Sequence, residues 1–203
     1  MADVKIEAEL AAFRAETAQR LEKLTRGETI KGLYLRGYLE AYRTEGGEAL
    51  YEKCRAELPE KELVDFFSYP YEVVLKMGLH GAEALVPKFG TVREFLRAMG
   101  RIAVNQYLQS PLGRTFLELA KPSPRAMLRM LPTAIATTIR FGDRKATFAN
   151  DNQCTFACRG DFSPAEANAG AIEAVILAAK GRSPQVLVRQ HSMLDYDLEA
   201  TWS

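Results

Sequence analysis

The chain is poor in the residues that most often do chemistry. Its 203 residues include two histidines, His80 and His191, and three cysteines, Cys54, Cys154 and Cys158. It has no Gly-rich phosphate loop between a strand and a helix, no G-x-S-x-G, no H-E-x-x-H and no base beside a candidate nucleophile. The chemistry of nucleotide cradling, serine hydrolysis and zinc peptidases needs those groupings, so a non-catalytic protein is expected. Nor is there the run of about 18 apolar residues that a membrane-spanning helix requires. The opening MADVKIEAELAAF places acidic residues where an export signal needs a positive region and an apolar core. An odd number of cysteines without such a signal points to free thiols in a reducing cytoplasm.

What is present is ordinary in bulk and uneven in detail. Apolar residues make up 47% and charged residues 26%, as in a soluble globular domain. Residues 1–85 carry 12 Lys/Arg and 16 Asp/Glu, residues 86–145 carry 11 and 3, and residues 146–203 carry 4 and 7. A basic middle suits an anionic partner or a solvated face. Arg93, Arg97 and Arg101 recur at i, i+4, i+8, and with Arg125 and Arg129 they form the candidate partner surface. No exposed aromatics are interleaved with them, so nucleic acid is not expected.

Hydrophobic periodicity predicts a helical first two thirds. Ile6, Leu10, Phe13, Thr17, Leu21 and Leu24 form a narrow stripe over 4–26, about three heptads, for packing on the domain or pairing with a second copy. Helices are predicted over 29–42 and 47–57, broken at Gly46-Gly47, then over 61–67 and 71–85. Thr91 opens the next, where TVRE reads as a capping box. Val92, Phe95, Leu96, Met99, Ile102 and Ala103 are its buried stripe. A short helix covers 112–120. Ser123-Pro124 opens another, which Pro132 ends or kinks and which continues over 133–141.

After Gly142 the pattern changes. Strands are predicted at 145–149, 153–159, 185–190 and 195–202, with a hairpin turn at Asn150-Asp151-Asn152 and a helix over 163–180 stopped by Gly181. This order, helices then β-β-α-β-β, argues an α+β fold with a helical bundle-like region against a C-terminal antiparallel sheet. Within CTFACRGDFS, alternation puts Cys154, Phe156 and Cys158 on one strand face. The Arg-Gly-Asp tripeptide then falls in a strand-to-helix turn, with SPAE as a capping box that has Pro164 at the first helical position. C-x3-C is not a zinc spacing, so the cysteines read as small buried hydrophobes. The Ala-rich helix allows close packing on the sheet or a hollow beneath it. Asp195, Asp197 and Glu199 alternate on one strand face, solvated or facing a cation.

The runs SYPYEVVLKM, TVREFLRAMGRIAVNQYLQSPLGRTFLELAKPSPRAMLRMLPTAIATTIRFG and RGDFSPAEANAGAIEAVILAAKGRSPQVLVRQ, in that order around a hairpin, resemble the layout of haem-nitric-oxide/oxygen-binding domains. The same layout resembles 4-vinyl-reductase domains and TRAPP vesicle-tethering subunits, which together form the ligand-binding superfamily of nitric oxide signalling and Golgi transport. With an opening like ETIKGLYL and an ending like D-x-E-x-x-W, the chain is also similar to a family of uncharacterised myxobacterial paralogues of about this length. The resemblance implies an extension at 1–27 and one ligand-binding domain at 28–203. The departures are specific. In the haem domains a histidine follows Leu-Pro, whereas here Leu131-Pro132 precedes Thr133, Ala134, Ile135 and Ala136. The Tyr-x-Ser-x-Arg clamp on the haem propionates would fall at Cys158, Gly160 and Phe162. The cysteine-rich motif of the reductase domains would fall at His191, Asp195 and Leu198. No haem, metal or other cofactor is therefore expected.

What the resemblance still implies is an apolar pocket between helices and sheet, of the kind TRAPP-like subunits use for an acyl chain. The candidate lining is Phe95, Met99, Leu128, Ile135, Ile139, Phe156, Cys158, Ile172 and Ile176. The expected function is a haem-less sensor or adaptor that binds a small apolar ligand, a protein partner or a second copy in a signalling role. The alternatives are a metal or redox protein using Cys154, Cys158 and His191, a haem sensor using His80 or His191, and a structural dimer built on the first helix.

Overall fold

The computed structural model of the chain describes residues 2–60, 62–120 and 123–203. The chain divides into two compact units, Met1–Leu96 and Arg97–Ser203.

The first unit contains α1 (Ala2–Lys23), β1 (Thr29–Lys31), α2 (Gly32–Arg55), β2 (Ser68–Pro70), α3 (Glu72–Phe89) and the opening turn of α4 (Val92–Gln109). The α1 stripe is used inside the chain. Leu10, Phe13 and Thr17 are buried and α1 packs along α3. Arg14 reaches Glu83 of α3 at 3.3 Å. Packing on the chain's own α3 is the first of the two uses expected for the stripe, and Ile6, Leu21 and Leu24 stay half-buried.

Thr91 caps α4 as expected, accepting from the Glu94 N–H at 3.1 Å. The Val92 N–H is met by Glu9 of α1 at 3.1 Å. Gly47 takes φ 81°, a conformation that glycine enters without steric cost, and kinks α2 at the expected break.

Two expectations fail here. Thr29–Lys31 is a strand, with Ile30 opposite Tyr69 of β2, so α2 begins only at Gly32. Residues 62–67 form a bend and turn instead of a helix, and Lys61 lies outside the described residues. The carbonyls of Asp65 and Phe67 accept from Leu33 and Gly32 N–H groups, which draws this segment onto the start of α2. Three-residue strands carry no alternation to read, and TIKGLYL has helical apolar spacing.

The second unit holds the rest of α4, α5 (Pro111–Ala120), α6 (Pro124–Ala136), β3 (Asp143–Asn150), β4 (Gln153–Arg159), α7 (Ala165–Ala178), β5 (Gln185–Gln190) and β6 (Tyr196–Thr201). The strands form one antiparallel sheet in the order β3-β4-β6-β5. α7 packs on β5, β6 and α6. The fold is α+β, with helices preceding the C-terminal sheet, as expected.

Cys154, Phe156 and Cys158 of β4 stand opposite Ala200, Leu198 and Tyr196 of β6, and all six are buried. The Ser123 hydroxyl caps α6. That helix contains Pro132 and ends at Ala136, so the predicted continuation to 141 gives way to a turn at Thr137 and Thr138. After α7, Lys180 rather than Gly181 adopts positive φ, and the Gly181 N–H closes the helix end on the Ile176 carbonyl at 2.9 Å. No described helix is long and apolar enough to cross a membrane.

Candidate functional site

The Arg-Gly-Asp turn between β4 and α7 is a buried polar cluster. Asp161 is fully buried. Its carboxylate meets Arg144 of β3 at 2.7 Å and accepts from the Ser163 N–H at 2.8 Å and Asn168 Nδ2 at 3.2 Å. Asn168 also donates to the Tyr196 hydroxyl, which in turn donates to the Ser163 carbonyl. Arg159 faces Asp197 at 2.8 Å and the carbonyls of Cys158 and Tyr196. The tripeptide is thus consumed by its own fold and presents no acidic side chain to an adhesion receptor. The capping box differs in detail. Pro164 occupies the cap position, which leaves no cap side chain, and Glu166 is drawn to Arg97.

Arg97 is the centre of a second buried network. It is 8% exposed. Its guanidinium donates to Glu166 at 2.6 Å, Glu173 at 2.6 Å and the Val186 carbonyl at 2.8 Å. Arg101 holds the other Glu173 oxygen at 2.7 Å. Glu166 and Glu173 lie seven apart on one face of α7, against arginines four apart on α4. The backbones approach closely enough to demand glycine on both helices. A Cβ at Gly100 would stand 1.9 Å from the Ala167 carbonyl oxygen, and one at Gly170 would stand 2.1 Å from that of Arg97. This settles the Ala-rich helix on its α4 side as dense packing rather than a hollow.

The arginine stripe is therefore not one partner surface. Arg97 is buried and ion-paired, Arg101 is held by Glu173, and Arg125 is tied to Asp151 at 3.0 Å. Arg129 is exposed over the Phe148 ring and Arg93 is exposed. Sequence reasoning saw a periodic basic face. Glu166 and Glu173 pair with that face only through the tertiary approach of α7 to α4.

Of the candidate pocket residues, Phe95 lies in the first unit, buried beside Phe89 at 6.3 Å. The others lie in the second unit. Met99, Leu128, Phe156, Cys158, Ile172 and Ile176 are buried, and Ile135 and Ile139 are half-buried.

All three thiols are free and buried. Burial pushes Cys54 and Cys158 up to about 12 and Cys154 up to about 11, with Asp161 adding to the effect at Cys158. Burial, with Asp161 and Cys158, also raises the Tyr196 phenol well above its ordinary value. Thiols and phenol held neutral are poor nucleophiles and metal ligands.

Cys154, Cys158 and His191 do not converge. The cysteines face the core, and His191 is exposed in the β5–β6 turn, bound to Asp197 at 3.0 Å. His80 is bound to Glu57 at 2.8 Å. Asp195 bonds Ser192 and the Gly160 N–H, which lower it below the usual carboxylate range, and Glu199 faces Arg189. So the carboxylate row on β6 is compensated by its own chain. Among the described residues no three His, Cys, Asp or Glu side chains are grouped to hold a metal ion.

This arrangement of helices and sheet is H-NOX-like. The chain is similar to an H-NOX protein from K. algicida, solved in the Fe(II) unliganded state, at TM-score 0.67 and 11% identity over 86% of this chain and 97% of that one. It is similar to an H-NOX protein from S. oneidensis, solved in the Fe(II)NO ligation state, at TM-score 0.69 and 8% identity over 86% and 99%. A Cs H-NOX mutant carrying 4-cyano-L-phenylalanine matches at TM-score 0.65 and 13% identity over 85% and 96%. By its own sequence, the chain belongs to the family described as "Protein of unknown function (DUF2378)", whose model matches residues 23–203. No curated protein matches it.

The fold family implies haem. Leu131-Pro132 lies inside α6 and is followed by Thr133, Ala134, Ile135 and Ala136, none of which ligates iron. Cys158 is buried on β4, Gly160 donates to Asp195, and Phe162 stacks edge-on to Phe141 at 5.6 Å. None of these three positions presents a cation or hydroxyl to a propionate.

Proposed function

We propose that the chain is a haem-less member of the H-NOX fold, a non-catalytic sensor or adaptor that acts by association. It binds a small apolar ligand, an acyl chain being the chemistry that suits an aliphatic lining, or a protein partner, and does so in the cytoplasm in a signalling role. What supports this reading is a fold matched over 86% of the chain together with a Leu131-Pro132 step that is followed by Thr133, Ala134, Ile135 and Ala136 and by no histidine. The neutral, buried thiols and the carboxylate-bound histidines support association over turnover. The resemblance to TRAPP-like subunits, 4-vinyl-reductase domains and the myxobacterial paralogues supports an apolar ligand site within this superfamily.

Two measurements test it together. Haem titrated into purified protein is expected to give no Soret band, and a stoichiometric band removed by His80→Ala or His191→Ala overturns the haem-less reading. Native mass spectrometry, followed by solvent extraction, is expected to release an apolar small molecule. A protein that arrives empty and takes up no fatty acid sinks the ligand half of the proposal.

A further inference from the structure

The candidate lining is not closed evenly. Met99, Leu128, Phe156, Cys158, Ile172 and Ile176 are at most 2% exposed, so the middle of the second unit is filled by its own side chains. Ile135 and Ile139, at and beyond the end of α6, stay half-buried, as does Leu131. The sheet shows the same gradient. Cys154, Phe156 and Cys158 of β4 are buried, whereas their partners on β3, Phe148, Ala146 and Arg144, are only half-buried. α6 is the helix that packs on β3. The apolar interior is therefore least covered along the seam between α6 and β3. Leu128, Leu131 and Ile135 form a stripe there, spaced i, i+3, i+7 and about 10 Å long.

The rim of this seam is cationic. α6 contains Arg125 and Arg129 and no acidic residue. Both guanidiniums lie over the Phe148 ring, at 4.8 and 5.8 Å from its centroid. Arg125 is neutralised by Asp151 at 3.0 Å and donates to the Asn150 carbonyl at 2.9 Å. Arg129 is exposed, and no carboxylate meets it among the described residues. Cations four apart on a helix repel, and here one carboxylate serves two of them. Residues 124–150 carry Arg125, Arg129, Arg140, Arg144 and Lys145 against Asp143 alone. Arg144 is spent on Asp161, which leaves Arg129, Arg140 and Lys145 against that one acid.

We infer that the α6/β3 seam takes a free fatty acid, with its chain along Leu128, Leu131 and Ile135 and its carboxylate on Arg129. This rests on the ligand-binding half of the proposed function and adds the place of entry and the charge of the ligand. An apolar seam with a single convergent charge at one end selects an amphiphile and fixes which way round it lies. A carboxylate on Arg129 repeats the pairing that Asp151 makes with Arg125, one carboxylate per guanidinium, and relieves the repulsion between the two cations.

The test is isothermal titration calorimetry of the full chain, passed over a lipid-adsorbing resin, with dissolved decanoate and with 1-decanol. Decanoate is expected to bind one per chain and at least about tenfold more tightly than the alcohol. Arg129→Gln is expected to remove that advantage and leave 1-decanol unchanged, with the wild-type unfolding midpoint. Ala146→Leu, which fills the seam, is expected to weaken both ligands; Ala146→Val is the milder change if the midpoint falls. Equal affinity for the two ligands, a preference that survives Arg129→Gln, or normal uptake by the Ala146 variants overturns this inference and leaves an apolar ligand site elsewhere standing. Uptake of neither ligand overturns both. Phosphatidylglycerol vesicles or a hexaglutamate peptide that bind through Arg129, while dissolved decanoate does not, reassign the cation and overturn the fatty acid.

Discussion

In the first unit Arg14 and Lys53 meet Glu83, and Lys88 meets Glu45, on side chains that water reaches; in the second, Arg97 meets Glu173 and Arg144 meets Asp161 away from it. Arg20, 2% exposed, is the exception in the first unit. The difference matters energetically. Exposed pairs are screened and add little, whereas breaking one partner of a buried pair strands a charge where it cannot be hydrated. The first unit is therefore specified mainly by its apolar stripes, and the second by polar groups that must find one another. Glycines at 100 and 170 reinforce this, since they bring α4 and α7 close enough for Arg97 to reach both glutamates.

The comparison predicts an order of effects. Asp161→Asn strands Arg144 and loosens the turn before α7. Urea unfolding should show a loss of about 3–5 kcal/mol, and a loss below about 1 kcal/mol would put the second unit's charges on the same footing as the first unit's. Gly170→Ala forces α7 off α4. Its cost should be at least about 1–3 kcal/mol, and the same assay on Gly78→Ala, where a Cβ meets nothing within 4 Å, should show no such loss.

Alkaline titration reads both units at once. The folded thiols lie above their ordinary value of 9.0, at about 11 for Cys154 and about 12 for Cys54 and Cys158. The folded state thus holds these protons more tightly than the unfolded chain. Stability should be complete below pH 9 and fall as pH rises toward 12, by about 1 kcal/mol per thiol per pH unit. With Cys154 and Cys158 both replaced by Ala, the slope should flatten more than with Cys54→Ala. Glu83→Gln is the smallest effect. It removes partners from Arg14 and Lys53, yet should cost less than about 1 kcal/mol and lose even that at high salt.

The C-terminal half was the more legible. β4 spans the predicted 153–159, β5 the predicted 185–190, and the hairpin between β3 and β4 falls where Asn150-Asp151-Asn152 marked it. Alternation and turn residues are local signals, and here the tertiary structure obeys them. β1 and β2 were missed because three-residue strands are formed by their pairing, across the whole of α2, and not by any pattern of their own. Of the apolar positions singled out, all but Ile135 and Ile139 are buried. Arg97 was placed on a surface because a periodic row of arginines looks the same whether it faces water or two glutamates.

Residue pattern alone was enough to establish the class of fold, most of the helical stripes and the burial of Cys154 and Cys158. Each is written in spacing or residue type, which short-range sterics and hydrophobicity translate directly. Which charges would be buried could not be read that way. Arg97 and Glu173, or Arg144 and Asp161, are far apart along the chain, and only the approach of α4 to α7 and the pairing of β3 with β4 brings them within hydrogen-bond distance. The exposure of Phe66 and Phe67 has the same origin. Apolar residues go inside unless backbone hydrogen bonds made elsewhere hold them out, and those bonds exist only once β1, β2 and α2 have come together.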